Sequence, residues 1–546
     1  MTDFDCDAVI VGSGPGGATA AEVLTAAGWS VVMLEKGRNH LIDTEAPYAP
    51  RRHFSNDEVG ALRRHLLGPD PLLEPRVYRD TIGEVNNLPS TVGGGGVHAD
   101  AKLPRFREED FALRSVRGPI DDASVEDWPF GYDEVASHYS AVEKSFGVAG
   151  EETNPFAVKR NTPFPMPPGP DMPFALVSGA AAERLGLHPY RAPSGVNSVE
   201  YDGRPACTDC GFCGGYGCAI HAKGDPIAAL QRALQTGKLD LRSDAYVTSI
   251  VLDGAGRQAT GVRYLDLGSY PDPPTVEVRA RYVIVAGGAF ETPRLLLRCN
   301  LGGDLVGRFL TYHYQTFTVG IFDRDTGGER GRSVTHLHDD LMIDTPEMRD
   351  VARAADLPWV RGGTTEHGAG RGPIDEALTY GRGDVHTASM ADSALRRRLW
   401  AFTMQGEDLP QHDNRISLDA TVTDAWGFPA GRVSYAPHRH ELVASAYAAD
   451  LHERVMTEAG AEASFSATSP RDDEPPESRH VMGTARMGSD PSASVVSPEQ
   501  RLWDVDNVLV CDSSVFVTSA GYNPTLTLAA LAHRAATLLV GGTSHG

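Results

Sequence analysis

Apolar residues run without a polar break from Ala8 to Val11 and stop at Gly12-Ser-Gly-Pro-Gly-Gly17. An alanine-rich helical stretch follows, and a second apolar run, Val31-Val-Met-Leu34, ends on the acid Glu35. An apolar strand, a glycine turn, a helix and another apolar strand make the pattern of a parallel βαβ unit. The pattern returns at Tyr282-Val-Ile-Val-Ala-Gly-Gly-Ala-Phe-Glu-Thr-Pro-Arg, as strand, glycine turn and proline-started helix. Asn507-Val-Leu-Val-Cys-Asp512 is a further buried strand ending on an acid, and an alanine-rich helix runs from there to Leu539.

Between these units the period changes. Val247 to Leu265 alternates like a hairpin around Asp253-Gly254, and Thr316-Phe-Thr-Val-Gly-Ile-Phe, Leu399-Trp-Ala-Phe-Thr-Met-Gln and Arg415-Ile-Ser-Leu-Asp predict an antiparallel sheet. Polar, glycine-rich loops around Glu366 to Arg382 break it. Helices are predicted over Asp225 to Thr236, over Val443 to Ala459, and after Asp127-Trp-Pro-Phe-Gly through Phe146. Prolines at 47, 50, 69, 71 and 75 leave Thr44 to Leu88 irregular, and Asn154 to Pro173 carries seven more, so it is expected along the surface. The fold class predicted is α/β (α+β overall). A Rossmann-like nucleotide domain spans 1–315, with internal excursions, and 466–546. A second domain with an antiparallel sheet spans 316–465, with parts of 44–90 and 151–225 as loops near the site.

The glycine turn has a chemistry of its own. Gly12 permits the tight turn, Gly14 lets backbone N–H groups approach a pyrophosphate, and Gly17 lets helix and strand pack closely. Glu35, 18 residues after Gly17, can accept from a ribose hydroxyl. The helix N-terminus adds partial positive charge. The turn alone does not separate FAD from NAD. A second glycine run, Ser90-Thr-Val-Gly93-Gly94-Gly95-Gly96-Val-His98, is a backbone without side chains, suited to close approach to a flat ring or a phosphate.

Length and charge narrow the class. With 546 residues, 41% hydrophobic content and 58 glycines, a folded two-domain enzyme is expected. A net charge of −23 argues against nucleic acid and anionic membrane surfaces as partners. It is compatible with a cationic substrate, and a solvated acidic surface is the simpler reading. The acidic N-terminus leads straight into the first strand, and no stretch reads as a bilayer span, so a soluble cytoplasmic protein is the expectation. Of seven cysteines, Cys207, Cys210, Cys213 and Cys218 cluster, which suits a metal site, free thiols or a disulfide loop.

Five segments taken together resemble the glucose–methanol–choline (GMC) flavoprotein oxidoreductases. They are the opening glycine motif, the turn from Gly93 to His98, Gly287-Gly-Ala-Phe-Glu-Thr-Pro-Arg-Leu-Leu, His480-Val-Met-Gly-Thr-Ala-Arg-Met-Gly, and Asp512 through Asn523-Pro-Thr-Leu-Thr. They follow the family's order over most of the chain. Residues from about 320 to 470 match only loosely, through Gly406-Glu-Asp-Leu-Pro and Asn414-Arg-Ile-Ser-Leu-Asp. The resemblance implies a GMC fold, with FAD held non-exchangeably and its isoalloxazine at the boundary between an FAD-binding and a substrate domain. Gly12, Gly14, Gly17 and Glu35 would hold the ADP moiety, and Val247 would contact adenine. Asp512 with Ser513 would face the diphosphate and ribityl chain. Asn523, Pro524 and Thr525 would approach the pyrimidine end of the ring, and Gly93 to Gly96 its other side. Gly287 joins this set.

In such enzymes a base removes the hydroxyl proton while hydride passes from the same carbon to flavin N5, and a second group steadies the developing alkoxide. His480 matches the family's base. Asn523 stands at the partner position, where some members have a second histidine; an amide donates but takes no proton, so His480 is expected to be the sole base. His98 stands where members resembling choline oxidase and pyranose 2-oxidase link the flavin covalently and others keep an unlinked histidine. Its neighbours Ala99-Asp-Ala depart from the family's usual residues there.

The cysteine loop lies where some family dehydrogenases carry an iron–sulfur cluster. Its last gap is four residues and no proline follows, so the spacing differs from bacterial cluster loops. A structural zinc site and a plain thiol loop stand beside that reading. The expected reaction is oxidation of an alcohol CH–OH to a carbonyl, with oxygen or another electron acceptor. A lyase that uses flavin without net redox change is the alternative class, and a flavin-bearing partner protein is disfavoured by His480 and Asn523. Hydrophilic segments at His367-Gly-Ala-Gly-Arg-Gly and Tyr380-Gly-Arg-Gly-Asp384 lean toward a sugar or another hydroxylated small molecule or natural product, with sterol, aryl or aliphatic alcohols as the alternative.

Overall fold

The computed structural model describes residues 4–39, 64–67, 79–82, 88–215, 217–269, 271–328, 331–369, 377, 383–391, 394–468, 476 and 478–543. The opening unit is β1 (Cys6–Val11), α1 (Pro15–Ala26) and β2 (Val31–Leu34). β1 has a parallel neighbour on each side, and Ile10 stands beside Met33 of β2 and beside Ile284. A strand in that place has no wet face, so Ala8, Val9 and Ile10 are all buried, as their unbroken apolar run requires. Leu239–Arg242 lies beyond β2. On the far side of β1, the eleven-residue strand Thr275–Val285 is shared between two pairings. Its first half pairs antiparallel with Ala259–Asp266, the hairpin partner of Ala245–Leu252, and its second half runs parallel to β1 and to Val508–Val510. The turn at Val11–Gly12, the turn after Val285 and the turn after Val510 therefore open on one edge of one sheet.

The second sheet is antiparallel, in the order Ala463–Thr468, Tyr314–Ile321, Leu399–Gly406, Thr365–Ala369, Val334–His338, Tyr190–Arg191. Alternation assigns its faces. Tyr314, Thr316 and Thr318 are buried, with Thr316 Oγ1 at 2.6 Å from Ser445 Oγ on helix Arg439–Glu458. Gln315 and Phe317, pointing the other way, face a cavity between the two sheets. The sheets thus meet across the space that the glycine turns enter.

Five elements differ from expectation. Arg415–Thr423 does not join the large antiparallel sheet but pairs with Pro429–Tyr435 in a smaller one, completed by Arg79–Ile82 and Arg64–Leu67. Those two four-residue strands lie in a stretch expected to be irregular. Main-chain pairing to the hairpin, rather than alternation, makes them strands; the rest of 40–87 lies outside the described residues. Thr365–Ala369, expected as loop, is an interior strand, because His367 packs at 4.8 Å on Phe402 of its neighbour. The predicted glycine-rich loops beyond it mostly lie outside the described residues. Finally, helix Thr525–Thr543 is long and apolar enough to cross a bilayer by length and composition, contrary to the expectation of no such stretch. It packs along α1 and helix Tyr132–Phe146, with Leu526, Ala529, Ala532 and Ala536 buried, which accounts for its apolar sequence.

Candidate active site

A cavity of about 620 Å³ runs from the first glycine turn to the antiparallel sheet. At its near end α1 begins at Gly14, with no side chain capping its N-terminal N–H groups, Pro15 at the first turn and no acid there. Such an end is a ready anion site. Gly12 has φ of +101°, and a Cβ on it would meet the Ala286 carbonyl oxygen at 2.3 Å, whereas a Cβ on Gly14 would meet nothing within 4 Å. The first glycine serves the fold, and the second leaves room in the cavity.

Glu35 lines this end, and its carboxylate pins the turn. It accepts from Ser13 Oγ at 2.6 Å, Ser13 N at 3.0 Å and Gly37 N at 2.8 Å. Burial raises its pKa against those hydrogen bonds. Gly17 and Gly93 stand behind the lining. Gly17 packs against the Gly12 carbonyl, and Gly93 N donates to Ser13 Oγ at 2.9 Å, which ties the two glycine turns together. Gly94, Gly95, Gly96, His98, Val247 and Gly287 reach the cavity itself. So do Ser513, Pro524 and Thr525. Asp512 also lines it, accepting from Gly288 N at 2.9 Å and from Thr292 Oγ1 at 2.5 Å, so it joins the start of helix Gly288–Cys299 to the turn after Val510. Burial raises its pKa, partly offset by these donors.

His98 is held through Nδ1 to Gly215 O at 3.2 Å, while Gly215 N donates to His98 O at 2.7 Å. The cysteine loop is therefore laced to the glycine-rich turn. Lys223 completes the brace by donating to Val97 O, Ala99 O and Cys213 O at 2.7, 2.9 and 3.1 Å. Cys207, Cys210, Cys213 and Cys218 are thiols, and among the described residues no group of three His, Cys, Asp or Glu side chains converges as a metal would require. Burial pushes the Cys213 thiol up to about 12.

The far end holds His480 and Asn523, brought from positions 43 residues apart. His480 Nδ1 lies 2.8 Å from Nδ1 of His313. Burial carries the His480 pKa well below the usual histidine range, with the neighbouring His313, Lys102 and Arg479 adding to it, so the ring is neutral and able to take a proton. Asn523 Nδ2 donates to Glu366 Oε1 at 3.0 Å, and Glu366 Oε2 accepts from Lys102 Nζ at 2.8 Å. Lys102 also pairs with Asp100 at 3.2 Å. Burial alone would lower the lysine's pKa, but the two carboxylates outweigh it and keep the ammonium charged. Asn523 Oδ1 is buried with no partner among the described residues.

His313, Lys102, Glu366 and Lys223 were missed by sequence reasoning. Lys102 follows His98 by four residues, a signal that was there to use; the other three are placed by tertiary pairing alone.

Comparison with known proteins gives the family. Residues 5–55 match an FAD-binding domain, 177–315 match the N-terminal GMC oxidoreductase model, and 410–532 match its C-terminal counterpart. The chain belongs to the GMC oxidoreductase family. Among GMC relatives it is 27% identical to a 2-methyl-1,2-propanediol dehydrogenase of Mycolicibacterium austroafricanum, covering 97% of this chain and 94% of that one. It is 28% identical to paromamine 6'-oxidase of Streptomyces fradiae, over 98% and 91%. In fold it is similar to a pyridoxine 4-oxidase structure from Mesorbium loti, with a TM-score of 0.60, 15% identity and coverage of 98% and 99%. The GMC chain is an FAD-dependent enzyme acting on CH–OH donors. Its own residues fit that cofactor: an uncapped helix end, an open Gly14 and an unpaired Asn523 carbonyl all face one elongated cavity.

Proposed function

We propose that this GMC oxidoreductase oxidises a secondary or primary hydroxyl of a polar, polyhydroxylated small molecule, a sugar or glycosylated natural product, with His480 as the general base. The observation that carries this reading is the wall around His480. Gln315, Gln405, Thr403, Glu366, Lys102 and Arg479 line the cavity that holds His480, beside the aromatics Phe317 and Phe290. A sterol or long-chain alcohol would strip water from these groups and give nothing back, which costs about 1–3 kcal/mol for each unsatisfied partner. A ligand with several hydroxyls pairs with them. Two relatives named for 2-methyl-1,2-propanediol and for paromamine support the same class.

Gly12 to Gly16 and Glu35 would hold the adenosine diphosphate portion of FAD, and Gly94 to His98, Asp512, Ser513 and Asn523 to Thr525 the flavin portion. Bound FAD supplies the hydride acceptor. His480 takes the hydroxyl proton as the carbon gives up its hydride, so the O–H and C–H bonds break and the C=O bond forms. The Asn523 amide has a second N–H, besides the one given to Glu366, with which to hold the alcohol oxygen as negative charge grows on it. The Lys102 charge, fixed beside Glu366, supports the same change. Low-pKa His480 is unprotonated at neutral pH and so enters the reaction ready. Anaerobic mixing with a panel of sugars, polyols, aminoglycosides and simple alcohols tests the substrate class. Flavin bleaching is expected with the polyhydroxylated members, and bleaching confined to apolar alcohols would overturn it.

A further inference from the structure

His313 lies behind the proposed base, away from every motif that marks the site. Its placement is a matter of register. Thr311 and Met482 form an antiparallel bridge, exchanging hydrogen bonds of 3.0 and 2.9 Å, so two residues on from Thr311 and two back from Met482 His313 comes opposite His480. Their rings meet edge to face, with centroids 4.8 Å apart and planes at 82°. The segment is firmly held: Tyr312 N donates to Asp408 Oδ2 at 2.6 Å, and Asp408 exchanges bonds of 2.9 and 3.1 Å with Ser519 Oγ. Gln405, itself bonded to Gln315 at 2.9 Å, also lies against the His313 ring.

The hydrogen-bond partners specify the protons. His313 Nε2 faces the carbonyl oxygen of Ser519 at 3.2 Å. A carbonyl only accepts, so this nitrogen carries hydrogen. Burial lowers the His313 pKa to about 4, so the ring is neutral and has one N–H to give; its Nδ1 then carries a lone pair. The contact of 2.8 Å between the two Nδ1 atoms needs one donor. That donor is His480.

We infer that His313 is a positioning residue which locks His480 in the Nδ1–H tautomer and so presents its Nε2 lone pair to the substrate hydroxyl. When Nε2 takes the proton, the new imidazolium keeps its Nδ1–H bond to His313, which steadies the positive charge inside the cavity. The inference rests on His480 as base only for its effect on rate.

Long-range 15N–1H spectra of the holoenzyme labelled with 15N-histidine, with His480 assigned through His480→Gln, read the tautomer directly. His480 is expected protonated at Nδ1 and bare at Nε2. His313→Leu removes the acceptor: the proton should move to Nε2 in part or in full, and kcat/KM should fall roughly tenfold or more. His313→Asn keeps an oxygen opposite the same nitrogen and should restore both the Nδ1–H signal and most of the rate. A wild-type His480 protonated at Nε2, or a His313→Leu enzyme with unchanged tautomer and rate, would overturn the inference. If the leucine variant does not fold, the wild-type and asparagine spectra decide. Failure of the base reading is distinguishable, since substrate-driven flavin reduction in His480→Ala would contradict that reading and leave the wild-type spectrum as it stands.

Discussion

Glu366 accepts a hydrogen bond from Asn523 at 3.0 Å, which commits one N–H of the family's partner amide before any substrate arrives. The same carboxylate holds Lys102 at 2.8 Å, so three residues from three elements act as one polar wall. Glu366→Ala should let the amide turn and release the lysine, and kcat/KM should fall about a hundredfold, with part of the loss in KM. Glu366→Gln retains an acceptor for Asn523 and should lose about tenfold. Steady-state kinetics of the two variants check this ordering.

The opening glycines should separate fold from cofactor binding. Gly12→Ala forces an alanine to φ of +101° and its Cβ against the Ala286 carbonyl, so the variant should lose roughly 2 kcal/mol or more of stability, seen as a lower urea midpoint. Gly14→Ala meets no protein atom within 4 Å, so the fold should survive while FAD is bound weakly or not at all. Circular dichroism and flavin content, measured on both, distinguish the outcomes.

Acid should weaken the antiparallel sheet through its buried histidines. His338, His367 and His452 are fully buried, and His367 bridges Ser178 Oγ at 2.8 Å and His338 Nδ1 at 2.9 Å. Burial lowers all three pKa values below the ordinary 6.5, with neighbouring histidines adding for His367 and His452. These rings stay neutral in the folded state, so their stability is fully present above about pH 6.5. It is lost as pH falls, because the unfolded chain binds protons that the folded one refuses. Each contributes up to about 1.4 kcal/mol per pH unit. Urea midpoints at pH 7.5 and 5.5 should differ clearly, and a flat profile would count against it.

The flavin is expected to be held without a covalent bond. His98 is tied through Nδ1 to Gly215 and packed against the cysteine loop, a role in shaping the wall of the site. Acid precipitation should release yellow FAD into the supernatant; colour retained on the pellet would contradict this. The same sample should show flavin absorbance without an iron–sulfur band, since among the described residues no three His, Cys, Asp or Glu side chains converge.

Much of this was legible in the chain because local pattern and function coincide there. The unbroken run before Gly12 reads as a strand covered on both faces, and the helix expected over Asp225 to Thr236 is found at Pro226–Gln235, capped by Asp225, which accepts from Ile227 N at 2.9 Å. Glu366 was not legible. It sits in a polar, glycine-rich stretch whose strand exists only because Leu399–Gly406 and Val334–His338 flank it. His313 was hidden for the same reason, since its meaning comes from pairing with a segment more than 160 residues away. Arg79–Ile82 shows the limit again, a strand made by its partner rather than by its own residues.

The most direct test of the account is anaerobic stopped-flow reduction of the flavin in His480→Ala, loaded with FAD, against wild type on the best substrate of the panel. Removing the base while leaving the cofactor cavity intact should slow bleaching by roughly a hundredfold or more with FAD still bound. Reduction at the wild-type rate would contradict the assignment of His480 as the base.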